Sequence, residues 1–257
     1  MSMLQYELED QIGIITIKSP PANALSTTLL NELGQLLDQI EKEQAAKVIV
    51  IKGDGRFFSA GADVKQFTTL QEASDFKALA QGGQKVFERI ENFSIPFIAA
   101  IHGAALGGGL ELALSCHIRV VTEKAKLGLP ELSLGIIPGF AGTQRLPRYV
   151  GEAKAYEMIL TGVPITGREA YTLGLANQVT SEDELLNEAM NLAKQIAAKS
   201  KPSIERIMKL IPYAKTSQFA EGVEQEAILF SEVFGSEDAT EGIQAFLEKR
   251  QPQFKDK

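Results

Sequence analysis

Four short apolar runs constrain this fold most: IGIITI (12–17), KVIVIKG (47–53), PFIAAIHG (96–103) and IRVVTEKA (118–125). Their apolar residues follow one another instead of alternating with polar ones, the pattern of strands buried on both faces. Between the first two, Leu29, Leu30, Leu33, Leu36, Leu37 and Ile40 recur at helical spacing, with Ser26 placed to cap the helix. Strands alternating with helices predict an α/β fold with a largely parallel sheet. Glycines in KGDG and IHGA put loops at the carboxyl ends of strands, where open α/β folds bind ligands.

After about residue 180 the strand patterns stop. SEDELLNEAMNLAKQIAAK reads as a helix opened by a capping box, Ser181 with Glu184. Pro202 opens a further helix, where its missing N–H does no harm, and two more helical patterns cover 218–234 and 238–249. The expected organisation is an α/β core over 1–195 and a helical subdomain over 196–257 that serves as an oligomerisation or lid element. No Pro/Ser linker separates them.

Composition narrows the partners. Lys and Arg number 26 against 33 Asp and Glu, a formal charge of −7, which argues against broad binding of nucleic acid or anionic membrane. With Cys116 the sole cysteine, no intramolecular disulfide forms, and a reducing compartment is expected. MSMLQYELEDQ carries no signal pattern, and no apolar run reaches about 18 residues. The expected location is therefore cytoplasmic.

Several chemistries fall away. His102, His117 and Cys116 are too few for a typical multi-ligand zinc site, so no metal is expected. Cys116 and His117 are adjacent and point apart, and no Gly-x-Ser-x-Gly elbow exists. GVPITGRE (162–169) approaches a phosphate loop but has Arg168 and Glu169 where Lys and Ser/Thr are needed. Thr166 and Glu169 read better as the capping box of a short helix that Gly174 ends.

The remaining signal is GAALGGGLELALSC (103–116), a glycine run entering an apolar helix that carries one carboxylate, Glu111. Alone, such a run equally fits close packing of helix on strand. A second glycine-containing loop after a strand, FFSAGADVK (57–65), changes the odds. Two such loops can each aim one backbone N–H at a common oxygen, the requirement for stabilising an oxyanion. A second carboxylate, Glu131, is likewise isolated among apolar residues in LGLPELSLGIIPG. An unpaired buried carboxylate is costly, so two beside glycine-rich loops make a candidate site.

These segments, with PPANALS (20–26), AKLGLPELSLGIIPGFAGTQRLPRYVG (125–151), LTGVPITGREAYTLGLANQV (160–179) and FLEKRQPQFKD (246–256), resemble the enoyl-CoA hydratase/isomerase (crotonase) superfamily over nearly the whole chain. The resemblance implies a ββα spiral core with helices after it, assembled as a homotrimer or dimer of trimers. It implies an acyl-CoA thioester as substrate, coenzyme A being part of that substrate, and no separate cofactor. The amides of Ala62 and Gly108 would form the oxyanion hole, and Glu111 and Glu131 the catalytic pair, with support from the Gly139 amide. Carrying both glutamates is similar to hydratases, which add water syn across a trans-2-enoyl-CoA. A double-bond isomerase or a specialised acyl-CoA hydratase is the alternative, and an RNA-binding homologue the distant one. Coenzyme A and substrate contacts would come from Ala22, Ala24, Leu25, Ala60, Asp63, Val64 and Lys65, with Phe140 at the acyl chain. Phe246 and Lys249 match tail residues that reach a neighbouring subunit's coenzyme A. Phe140 departs from the small residue many hydratases carry there, leaving acyl preference open.

Overall fold

The computed structural model describes residues 2–63, 66, 73–215, 218–234 and 236–257. Its larger sheet has six strands in the order β1-β2-β3-β4-β6-β9: β1 (Leu4–Glu9), β2 (Ile12–Ile17), β3 (Val48–Gly53), β4 (Phe97–Ile101), β6 (Ile118–Thr122) and β9 (Gln178–Thr180). All neighbours are parallel except β1 and β2, a hairpin in register Leu4↔Ile17 to Glu9↔Ile12. Its two turn residues, Asp10 and Gln11, both have positive φ, the tight-turn geometry that matches strand twist.

The continuous apolar runs are explained by how the sheet divides them. Ile49, Ile51, Phe97, Ala99 and Ile101 face one core, with α1 (Thr27–Glu43) and α2 (Ala73–Glu91) packed over it. Val48, Val50, Ile98, Ala100 and Val120 face another, closed by Leu185, Ala189 and Ala193 of a later helix. Successive residues point to opposite faces, so both parities must be apolar. Ser26 caps α1 as expected, its Oγ accepting from the Leu29 N–H at 3.1 Å.

After β2, β3, β4 and β6 the chain makes a short pass in a second layer before its helix. That layer holds β5 (Ala104–Leu106), β7 (Lys126–Gly128) and β8 (Ile165–Thr166), extended by single bridges Ser59↔Ala105 and Leu25↔Ala62. Thus β4, β5 and α3 (Gly108–Ser115) form one ββα turn. In the next turn β6 and β7 lead into a 3₁₀ helix (Glu131–Leu134) and then α4 (Gly142–Arg145), α5 (Pro147–Val150) and α6 (Glu152–Thr161). The spiral brings the ends of the short passes together, and there the two glycine-rich loops meet.

The chain continues as α7 (Gly167–Thr172), α8 (Leu185–Ala197), α9 (Lys201–Leu210), a 3₁₀ segment (Ile211–Lys215), α10 (Phe219–Phe234) and α11 (Glu237–Glu248). The Thr166–Glu169 capping box of α7 is present in both directions, so the near phosphate loop is a helix start. The expected box at Ser181 is not formed. α8 begins at Leu185 with Glu184 at its cap, and the Glu184 carboxylate accepts from Asn187 Nδ2 instead of reaching back. Burial of Leu185 against the sheet sets where this helix starts, overriding the local signal. The expected division at 195/196 falls inside α8, whose buried stripe belongs to the core, and the tail's own helices begin at Lys201.

Candidate active site

The three adjacent glycines Gly107, Gly108 and Gly109 are required for three different reasons. Gly107 precedes α3 with φ 52° and ψ −128°, and a Cβ there would lie 3.0 Å from Glu131 Oε1. A Cβ on Gly109 would meet the Ser59 carbonyl oxygen at 2.3 Å, so that position secures helix-to-strand packing. Gly108 is different: its Cβ would stand 3.3 Å from the Ala62 nitrogen and 3.1 Å from the Phe140 ring, in the space between two amides.

The Ala62 amide owes its direction to the bridge with Leu25. Leu25 N–H donates to Gly61 O at 2.8 Å and Asp63 N–H to Leu25 O at 3.3 Å, so in this parallel pairing Ala62 itself turns its N–H away from Leu25. Ser59 staples the same loop: its Oγ donates to Asn23 O at 2.7 Å, while its backbone pairs with β5. Buried Asn23 adds hydrogen bonds to the Asp54 and Phe57 carbonyls at 2.8 and 2.7 Å. The Gly108 N–H is in the first turn of α3, where amides have no partner within the helix. Among the described residues neither amide donates to a protein acceptor.

Glu111 lies one turn further along α3 and is 1 % exposed. Its Oε1 accepts from the Phe140 N–H at 2.8 Å and the Gly142 N–H at 2.7 Å. Ala141 between them has φ 71°, a left-handed residue that makes the flanking amides converge on one anion. A Cβ on Gly142 would sit 2.9 Å from Glu111 Oε1, so the grip needs glycine there. Burial lifts the Glu111 carboxyl to about 7, aided by Glu131 and opposed by the Gly142 and Phe140 amides and by Arg145. Glu131 begins the 3₁₀ helix, is 9 % exposed, and is raised by burial; its Oε2 is buried without a hydrogen-bond partner. A buried orphan acceptor next to a second raised carboxyl is a place for a water or a shared proton.

The structure therefore brings Ala62, Gly108, Glu111 and Glu131 together. The amides that grip Glu111 are those of Phe140 and Gly142, while next to them the Gly139 carbonyl accepts from Gln84 Nε2 at 2.9 Å. The Phe140 ring packs edge-on to Phe87 at 5.4 Å and covers Gly83, where a Cβ would fall 2.3 Å from it. Ala22 and Ala24 are half-buried and Ala60 is exposed beside them, the Ala60 N–H donating to Ala22 O at 2.9 Å. Asp63 is half-buried. Leu25 offers only backbone here, its side chain being in the core. Val64 and Lys65 lie outside the described residues. Within one chain Phe246 is not brought to this site: it is 81 % exposed on α11, and Lys249 is the exposed left-handed residue that ends that helix.

Sequence reasoning missed Gly142, Ser59 and Arg145. Each acts through a partner distant in sequence. Cys116 is buried with its thiol pushed up to about 12 by burial, as an inert core residue should be. Among the described residues no cluster of three His, Cys, Asp or Glu could hold a metal, and no helix is long and apolar enough to cross a membrane.

Comparison with known proteins bears on this geometry. A family model described as enoyl-CoA hydratase/isomerase matches residues 7–257. A Bacillus subtilis (strain 168) protein named probable enoyl-CoA hydratase is 54 % identical over 256 residues, 99 % of each chain. A Syntrophomonas wolfei protein named crotonyl-CoA hydratase is 38 % identical, with 96 % of each chain covered. The solved enoyl-CoA hydratase of Bacillus anthracis superposes with TM-score 0.95 at 35 % identity, over 99 % of this chain and 100 % of that one.

Proposed function

The chain belongs to the enoyl-CoA hydratase/isomerase family, and from that premise we propose that it is an enoyl-CoA hydratase, adding water syn across a trans-2-enoyl-CoA to give a 3-hydroxyacyl-CoA. One observation carries the choice of hydration: two free amides and two buried carboxyls with raised proton affinity converge on one point. The thioester oxygen accepts from the Ala62 and Gly108 N–H groups, and the positive end of α3 adds to that pull. Electron withdrawal along the conjugated system makes C3 electrophilic. Glu111 keeps Oε1 on its two amides and turns its other oxygen to a water. As the water oxygen bonds to C3, its proton goes to Glu111 and the π electrons move to an enolate held by the amides. C2 then takes a proton from Glu131. The pair carries one proton between them and titrates as a unit.

Addition of water is redox-neutral, so the reaction as written uses no cofactor beyond the coenzyme A of the substrate. The loop at Ala22, Ala24 and Leu25, with Ala60 to Lys65, supports coenzyme A, and the Gly139 amide, next to Phe140, supports the site. The exposed apolar residues Phe246 and Leu247 on α11 support association as a homotrimer or dimer of trimers, with Lys249 at a neighbour's coenzyme A. The acidic chain, with formal charge −7, fits a cytoplasmic enzyme of fatty-acid or branched-chain acyl-CoA catabolism better than a nucleic-acid binder.

The test is turnover of a series of trans-2-enoyl-CoA substrates with products weighed by mass spectrometry. Products heavier by one water, abolished in Glu111→Gln and Glu131→Gln, are expected. Products of unchanged mass, or no turnover at any chain length, would overturn the hydratase assignment.

A further inference from the structure

Arg145 ends α4 with its side chain 6 % exposed, between the catalytic loop and α2. Its Nε donates to Glu91 Oε2 at 2.9 Å, and one Nη donates to the Phe140 carbonyl at 2.8 Å. Phe140 is thereby held at both backbone ends, because its N–H is the one that donates to Glu111 Oε1. Ala141, next in sequence, is in a left-handed conformation that a side chain rarely adopts and that its surroundings must enforce. Glu91 also receives Arg148 at 3.0 Å, so two cations share one half-exposed carboxylate.

We propose that Arg145 is a positioning residue for the reaction: it fixes the loop whose Phe140 and Gly142 amides grip Glu111, and it brings that carboxyl a positive charge which Glu91 partly neutralises. The proposal rests on the hydratase assignment. The charged groups around Glu111 are few. Glu131 faces it from the 3₁₀ helix and raises its proton affinity, and Arg145 faces it from α4 and lowers it. From α2 the contributing charge is Glu91, acting through Arg145. β5 is Ala-Ala-Leu and offers none, and Cys116 at the end of α3 stays neutral with its thiol near 12. Arg119 of β6 donates to the Ala113 and Cys116 carbonyls at the other end of α3, and Arg145 is the cation that lowers the Glu111 proton affinity.

Two opposite signs follow. Glu111 accepts the water proton only when ionised, so kcat/KM climbs with pH through its titration. Without Arg145 the carboxyl holds its proton more tightly, and the acid limb moves to higher pH. Without Glu91 the Arg145 charge acts at full strength, and the limb moves to lower pH. A role confined to holding the loop would move both limbs upward, because the Phe140 and Gly142 amides it orients also favour ionised Glu111.

The experiment measures kcat/KM against pH for Arg145→Gln, Arg145→Lys and Glu91→Gln, with circular dichroism to check folding. Arg145→Gln is expected to lose about 10- to 100-fold in kcat through the loosened loop and to shift the limb upward. Arg145→Lys should fall between it and the native profile, and Glu91→Gln should shift downward. A folded Arg145→Gln with an unmoved limb, or a Glu91→Gln limb that moves upward too, would overturn the proposal. Should Arg145→Gln not fold, the Lys and Glu91 variants carry the same test, opposite shifts supporting and native limbs refuting it. Carbon-13 NMR titration of the Glu111 carboxyl, identified by its absence in Glu111→Gln, reads the same shifts without turnover. It decides the role of Arg145 even if no enoyl-CoA is hydrated.

Discussion

Replacing Gly108 by alanine should remove most activity and leave the fold at least as stable, a combination few substitutions in a buried site produce. The new methyl would stand 3.3 Å from the Ala62 nitrogen. An oxygen accepting from both amides at about 2.9 Å needs that same space. Displacing the thioester oxygen forfeits an oxyanion donor, worth about 10²–10³ in kcat, or about 2.7–4 kcal/mol of transition-state stabilisation. Stability responds differently. Gly108 does not have the positive φ of Gly107 beside it, so alanine restricts the unfolded chain without strain, a gain of about 0.4–1 kcal/mol. The Phe140 ring at 3.1 Å must yield by a few tenths of an ångström, which offsets part of that gain. Gly109→Ala is the internal control, because its methyl would meet the Ser59 carbonyl oxygen, fixed backbone, at 2.3 Å. It should lower stability by about 1–3 kcal/mol, the usual cost of overpacking. The assay follows loss of the conjugated enoyl thioester's ultraviolet absorbance, paired with thermal melts. Native kcat/KM in Gly108→Ala, or a Tm as low as that of Gly109→Ala, would refute the division of roles within the glycine run.

Glu111→Gln should abolish hydration and stabilise the protein at alkaline pH. Burial raises the folded carboxyl from 4.5 to about 7, so its ionisation costs nothing below 4.5 and its full amount, about 3 kcal/mol, above 7. Urea midpoints should therefore separate the variant from the native protein at pH 8 and converge at pH 4, and a less stable variant at pH 8 would contradict the assigned burial cost. Phe140→Ala removes the ring wedged against Gly83 and Gly108, and should cost about 3 kcal/mol of stability while shifting preference about tenfold toward branched acyl chains. An unchanged ratio of kcat/KM for branched and linear substrates would show that the ring does not border the acyl chain.

The strands and helices that carry the site were legible because hydropathy periodicity is local. Consecutive apolar residues at 48–51 and 97–101, short and bounded by turn residues, fitted strands covered on both faces, and the leucines of α1 fitted a buried helical stripe. Weak or short patterns were not legible. β1 alternates Leu4, Tyr6 and Leu8 with polar residues over only six residues at a sheet edge, and β5, β7 and β8 span only two or three residues each. The capping signal at Ser181 misled because burial of Leu185 decides where α8 begins.

At the site itself, sequence alone determined the chemical types: bare backbone before a short helix, and two carboxylates isolated among apolar neighbours. It also pointed, through resemblance, to the Ala62 and Gly108 amides. Tertiary structure decided which groups meet and in what state. Glu111 and the amides that hold it are 29 and 31 residues apart, and the left-handed turn at Ala141 aims both at one oxygen. The Phe140 and Gly142 amides entered as the partners of Glu111, and Arg145 as the anchor of Phe140. The physical reason is one of range. Periodicity and capping act within a turn or a strand, whereas the direction of an N–H and the proton affinity of a carboxyl depend on partners that only the folded chain brings within about 3 Å.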